Sequence, residues 1–432
     1  MKRFLTAAIL LTLAIAVTVP FAVFAQDGEE IELRWRTRPD NQAEIDVYTA
    51  ASETIDMAWD GVSLVYEPGG SETAGYQDVL VTEVIAGTAP DVFWIPGTDV
   101  ARFASEGLIL NLADLAAADP DFNAEDFYAG PMGFLTTPLE GMEGDALWGL
   151  PRDVSAFAIY YNADLFDEAG LDYPEEGWTW DDFATAAEEI SALGEEIVGF
   201  GMNDWWANYG YFINAAGSSF FTDDFTDCGL NNDATVAGLS QMVGLYENEW
   251  AVPWGTDSEP PFLAGNVGMF LNGRWATPGT IANAGFSWNV APLPIGPSGE
   301  ATNWLFWGAY VVNANTEHPE EAWDLVTRLT SAEIQGEVAA LGANIPSRAT
   351  DEAIGLFLRS LPGTLVNNEA FIDGTTAPDV RTEAPLFFGN WPAIDAAIKA
   401  GVDSVVAGTQ TPEEFASTIC DIIAPEFTSA ME

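Results

Sequence analysis

An α/β fold, with helices covering a parallel sheet, is what this sequence predicts, and three observations carry the prediction. Strand-like and helix-like segments alternate through the first hundred residues. One strand segment, PDVFWI (90–95), is almost continuously apolar, as in a sheet buried on both faces. Hydrophobic residues make up 48% of the chain and aromatic ones 12%, which gives 432 residues enough core for two ordinary domains or one large one.

The elements follow in order. IELRW (31–35) alternates as a strand, RTRPDNQ (36–42) is a polar loop, and a helix begins near Ala43. GVSLVYEP (61–68) is a second strand closed by Pro68. YQDVLVTEVIAG (76–87) has helical spacing, with Val79, Val84 and Ile85 on one side and Gly87 as the stop. The apolar strand PDVFWI is followed by a short helix, DVARFASEG, closed at Gly107. This β-α-β-α rhythm implies parallel pairing with covering helices. VSAFAIYYN (154–162) reads as one long strand. The helix in WTWDDFATAAEEISALG takes Thr179 as N-cap, with Asp181 and Asp182 where the helix dipole favours acids. TSAEIQGEVAALG places Thr330 and Glu333 as a capping box, and TPEEF repeats it with Thr411 and Glu414 around Pro412. Pro and Gly content marks 292–303 as a loop.

Residues 1–25 read as an export signal: Lys2 and Arg3, an apolar run, then small residues ending at Ala25. A retained membrane anchor is the alternative, but the run is short of a comfortable span. No cysteine follows it to carry a lipid. The expected location is periplasmic or extracellular.

Net charge is −54, and removal of residues 1–25 takes away two bases and no acids, leaving −56. Such a field repels nucleic acid and anionic lipid. Self-repulsion of this size is relieved by salt or protonation, which suggests a saline or acidic habitat. The two cysteines, Cys228 and Cys420, form either a bridge, which export permits, or two separate buried thiols.

Much catalytic chemistry has no residues to build on. His318, the single histidine, precedes Pro319 at a helix start and offers no triad or histidine metal site. Phosphate-cradling glycine motifs and the nucleophile elbow do not occur, and DDFTDCGLNND (223–233) lacks calcium-loop spacing. No metal and no cofactor is implied. Two carboxylates could serve a glycosidase, yet among 67 acids none stands out. Tryptophan does stand out. Of sixteen, Trp94, Trp205, Trp206, Trp275, Trp304, Trp307 and Trp391 sit in loop-like or element-end contexts. Aromatic faces suit the C–H face of a pyranose, though each indole also fits ordinary core packing.

Four blocks then carry a family resemblance: GTAPDVFWIPGTDVARFASEGLILNL, GLPRDVSAFAIYYNADLFDEAGLDYPEEGWTWDDFATAA, FLAGNVGMFLNGRWATPG and ANTEHPEEAWDLVTRLTS. In this order they resemble the extracellular solute-binding proteins of sugar ABC transporters, the maltose-binding-protein-like group, from about residue 31 to 427. The resemblance implies an α/β, two-lobe periplasmic-binding-protein (type II, Venus-flytrap) fold. Three interlobe crossovers are expected, near 150–156, 306–313 and 341–348. Lobe one would be 26–151 plus 312–345 and lobe two 152–311 plus 346–432, which puts Cys228 and Cys420 together.

Carried over position by position, the implied ligand residues begin with Arg36, Arg38, Asp40 and Asn41 after the first strand. Thr98 and Asp99 follow PDVFWI, and Asp153 and Ser155 lie on one face of the first crossover. Trp205, Trp206, Tyr209 and Trp275 belong to lobe two, and Trp307, Gly308, Arg381 and Trp391 complete the set. Arg152 is expected to point away from the cleft, and Asp153 is either a ligand grip or half of a surface ion pair at the hinge. The implied function is capture of a sugar or oligosaccharide by a monomeric, non-enzymatic carrier that docks on a membrane permease. An exported glycoside hydrolase, or a carrier for a cationic osmolyte, are the competing readings.

Overall fold

Alternation along the first strand sends Leu33, Trp35 and Thr37 into the core and leaves the residues between them partly exposed. The structure is a computed structural model and describes residues 31–39, 42–69, 75–139, 141–223, 225–342, 344–360, 366–382 and 390–427. The expected signal segment 1–25 and the site candidates Asp40 and Asn41 lie outside the described residues.

The strands are β1 (Ile31–Thr37), β2 (Val62–Pro68), β3 (Val92–Pro96), β4 (Leu150–Ser155), β5 (Phe157–Asn162), β6 (Val198–Gly201), β7 (Val267–Gly273), β8 (Trp288–Ala291), β9 (Thr302–Val312), β10 (Ile345–Pro346) and β11 (Asp379–Thr382). They form two sheets. The first has the order β10-β4-β9-β3-β1-β2, with β11 added along the start of β9; the second has the order β6-β7-β5-β8. In the first sheet β2, β1 and β3 pair in parallel, as the β-α-β-α rhythm implies. β9, β4 and β10 pair antiparallel, because each is a segment on its way into or out of the other sheet. The sheet is therefore mixed, parallel across β2, β1 and β3 and antiparallel across the strands that cross.

The predicted long strand 154–162 is two strands in two sheets, broken at Ala156. At the break the Asn303 side chain supplies what a ladder would. Its Oδ1 accepts from Phe157 N–H at 3.0 Å and its Nδ2 donates to Phe157 C=O at 2.9 Å. The crossing backbone thus stays satisfied while the chain changes sheet. In β5, Ala158 and Tyr160 face the core shared with the first sheet, and Phe157, Ile159 and Tyr161 face the core of the second. Three crossing segments, β10, β4 and β9, lie side by side. The expected division gave 302–311 to the second lobe, but β9 hydrogen-bonds to β3 and β4 from Phe306 onward and so runs in the first sheet.

Two local expectations also need correction. The helix Tyr76–Ala86 buries Tyr76, Leu80 and Val84, an i, i+4, i+8 row, while Val79 and Ile85 are 52% and 74% exposed. The helix Ala332–Ala340 is capped by Ser331, whose side chain accepts from Ile334 N–H; Thr330 Oγ1 instead donates back to Val326 C=O and ends the preceding helix. The Thr411–Glu414 capping box forms as read, and Thr179 caps its helix with Asp182 as reciprocal partner. Cys228 and Cys420 are disulfide-bonded, Cα–Cα 5.3 Å, joining the segment after the helix Trp206–Ala215 to the helix Pro412–Ile423.

Candidate functional site

A cavity of about 350 Å³ opens where the crossing strands meet both lobes. The first lobe contributes Thr98, from the turn after β3, and Phe134, from the helix Ala129–Leu135. The second contributes Trp206 and Trp391, each at the first position of its helix, with Phe220, Phe221, Thr222, Asp223 and Phe225. The crossing strand β9 adds Trp304, and β11, paired beside its start, adds Asp379 to Thr382.

The indoles fix one another. Trp206 meets Trp304 at 5.0 Å and 83°, and Trp391 at 5.7 Å and 88°, so its ring stands nearly perpendicular to both. Edge-to-face contacts of this kind hold rings rigid while leaving faces open. Trp304 Nε1 donates to Ala207 C=O at 2.9 Å, which spends its polar edge inside the protein. Across the cavity Phe134 stacks parallel to Trp307, centroids 6.4 Å apart. Gly97 is required beside it, since a Cβ there would collide with the Trp307 indole. The polar groups are Thr98, Ser219, Thr222, Asp223, Thr382 and an Arg381–Asp379 ion pair at 3.3 Å, in which Arg381 Nε has no hydrogen-bond partner among the described residues. Broad aromatic faces with a few polar groups suit a ligand that has both an apolar face and a hydroxyl rim.

Arg152 and Asp153 lie in the middle of β4. Neighbours on a regular strand point opposite ways, but the register slips between Pro151 and Asp153, and Arg152 is the extra residue of this bulge. Its side chain therefore folds back: Nε and Nη2 reach Asp153 Oδ2 at 2.7 and 2.6 Å. Nη1 donates to Thr37 Oγ1 at 2.8 Å and to Arg38 C=O at 3.2 Å. Arg152 and Arg38 each lie over the Trp94 ring, at 4.7 and 4.6 Å. Gly308 leaves room for that indole, because a Cβ there would collide with it. The pair is thus buried and turned into the first lobe, not a surface pair, and Arg152, expected to point away from the cleft, is not among the residues lining the cavity. Burial works against the Arg152 charge, but Asp153 beside it holds the pKa well above the ordinary value.

Of the other expected residues, Thr98, Trp206, Arg381 and Trp391 line the cavity, and Trp307 backs it through Phe134. Arg36 does not reach it, because its guanidinium is held by Glu67 and Glu83 at 2.6 and 2.7 Å. Asp99 turns toward Arg102 and Gln77, and burial raises its pKa. Tyr209 is fully buried in its helix and donates to Asp395 at 3.3 Å. Ser155 accepts from Arg274 N–H at 3.1 Å and serves the hinge. Trp205 and Trp275 form a neighbouring aromatic group with Phe306 and Phe157, and neither is among the residues lining the cavity. Sequence reasoning missed Phe134 and the Phe220–Phe225 segment. The available signal was the aromatic run before Cys228, in a stretch whose acids are its more obvious feature.

An aromatic cavity set between two α/β lobes at a three-strand hinge defines a two-lobe binding protein. Residues 58–336 match the model of the bacterial extracellular solute-binding proteins, and the chain belongs to that family. A binding protein of Brucella abortus is 25% identical over 348 residues, covering 77% of this chain and 79% of its own. A multiple sugar-binding protein of Streptococcus mutans is 25% identical over 275 residues, 59% of this chain and 61% of its own. An ABC substrate-binding protein of Listeria monocytogenes, solved in complex with cycloalternan, superposes with a TM-score of 0.79 at 19% identity, over 92% of this chain and 98% of its own.

Proposed function

We propose that this protein is the extracytoplasmic substrate-binding component of an ABC importer. It takes a sugar or oligosaccharide between its lobes and delivers it to a membrane permease. The observation that carries the reading is the cavity wall, where Trp206, with Trp304 and Trp391 packed edge-on against it, shares the lining with Phe134 and Thr98 of the other lobe. The S. mutans relative is named for sugar binding, and the Listeria neighbour was solved with a carbohydrate. We place the lobe boundary at Ala156, along β9 before Phe306, and after β10. Bound ligand would bridge the lobes and shift an open–closed equilibrium.

Mass spectrometry of ligand co-purified with the native protein, followed by calorimetry against a sugar panel, tests the reading. Trp206→Ala is expected to weaken sugar binding by about 1–3 kcal/mol, the scale of one desolvated aromatic contact. Sustained turnover of oligosaccharide would overturn the carrier reading in favour of a hydrolase. A cationic osmolyte is the second reading, favoured by Asp223 beside the indole faces. Heat of binding from a quaternary ammonium panel, with none from sugars, would select it.

A further inference from the structure

Residues 220–223 and 225–229 pair back on each other as the two sides of a short arm. Gly229 N–H donates to Phe220 C=O at 2.9 Å, Thr222 N–H donates to Asp227 C=O at 3.0 Å, and Phe221 bridges Cys228. The base of the arm is stapled to the helix Pro412–Ile423 through Cys228–Cys420. Its tip carries Phe225 with a backbone φ of 57°, a left-handed conformation that side chains with a Cβ rarely adopt. The Phe225 ring meets Phe134 of the first lobe edge-on, at 5.7 Å and 69°. Phe134 in turn stacks on Trp307 of β9. A covalent staple, an unfavourable turn and an aromatic contact therefore run in sequence from the second lobe to the first, and both phenylalanines line the cavity.

We propose that Phe225 and Phe134 are a positioning pair, an interlobe latch that holds the lobes together over the cavity before ligand arrives, with the disulfide setting the place of the arm. Its purpose rests on the carrier reading. One edge-to-face contact is weak against the entropy of ordering a ten-residue arm, so a free arm would seldom make it. Stapling the arm at its base lowers that cost, and the contact then biases closure. A site partly closed in advance binds more tightly because less ordering remains.

The test needs no ligand. Small-angle X-ray scattering of dialysed full-length protein is compared for the parent, Phe225→Ala, Phe134→Ala, the double variant and the parent reduced with a phosphine. Each single variant is expected to increase the radius of gyration, and the double variant to add nothing further. Reduction is expected to give the same opening. Phe225 is half-buried at an arm tip, so its variant keeps the fold, checked by an unchanged melting curve. A Phe225→Ala profile that superposes on the parent overturns the latch, and opening by the variant but not by reduction overturns the role of the disulfide. Failure of the carrier reading appears separately, as a parent protein that opens in these variants yet takes up no sugar in calorimetry.

Discussion

Arg152 sits midway along β4, and Arg274 sits beside the strand's last residue, where its backbone N–H donates to Ser155 Oγ at 3.1 Å. Both side chains are buried. The first has Asp153, Thr37 Oγ1, Arg38 C=O and the face of Trp94. The second has no hydrogen-bond partner at Nε, Nη1 or Nη2 among the described residues and lies against the rings of Phe357 and Phe371, at 4.9 and 5.0 Å. Burial lowers the Arg274 pKa to about 10, against a small opposing effect of Tyr160, whereas Asp153 raises that of Arg152. A paired guanidinium fixes the geometry of the crossing. One held only by ring faces burdens it, because aromatic quadrupoles return part of the hydration that burial removes.

The largest expected effect breaks the paired side. Asp153→Ala strands a buried cation and is expected to cost about 3–5 kcal/mol in urea unfolding. A loss under about 1 kcal/mol would place the pair with ordinary surface bridges. On the other side the sign reverses. Arg274→Met removes the buried charge and keeps an unbranched apolar chain, so unfolding should become harder by about 1–4 kcal/mol. Destabilisation there would mean that the guanidinium has an acceptor in solution, and the contrast between the two arginines would collapse. A smaller effect is expected at the shared ring: Trp94→Leu removes the face under both Arg38 and Arg152 and should cost about 1–2 kcal/mol beyond its lost packing, read by comparison with Trp94→Phe.

These contrasts mark how far the sequence can be read. The strands from Ile31 to Pro96, the Thr179 and Thr411 caps and the crossover near 150–156 are legible, because periodicity and capping are local signals. The family blocks extend this to two lobes. The contact of Arg152 with its neighbour Asp153 escapes such a reading, because alternation sends strand neighbours to opposite faces and takes no account of a bulge residue. Arg36 escapes it for another reason. Its partners Glu67 and Glu83 are 31 and 47 residues away, and nothing local to RTRPDNQ reveals that its charge is already spent. Phe134 and Phe225 come together only through the fold, so their contact leaves no pattern in the chain.

The smallest effect concerns pH, and it sharpens the comparison because neither arginine titrates near neutrality. Asp99 and Asp395 have raised pKa values through burial, and Asp373 through burial with Glu176 and Glu369 nearby. A carboxylate whose pKa is higher folded than unfolded binds more protons in the folded state between those two values. Stability therefore rises as pH falls through the folded pKa, and the gain is complete once pH is below the unfolded one. Asp182 acts in the opposite sense: its pKa is lowered by Thr179, so its contribution is present at neutral pH and lost as pH falls through the folded value. Asp182 is almost fully exposed, so solvent screening keeps that opposing effect minor. The urea midpoint is expected to rise modestly from pH 7 to pH 5. Asp395→Asn, which leaves Tyr209 a neutral amide oxygen to donate to, should reduce that rise. Arg274→Met should shift both midpoints equally and leave the slope unchanged. A slope that changes in Arg274→Met would show that the buried guanidinium is coupled to these acids, against the isolation its phenylalanine-lined site implies.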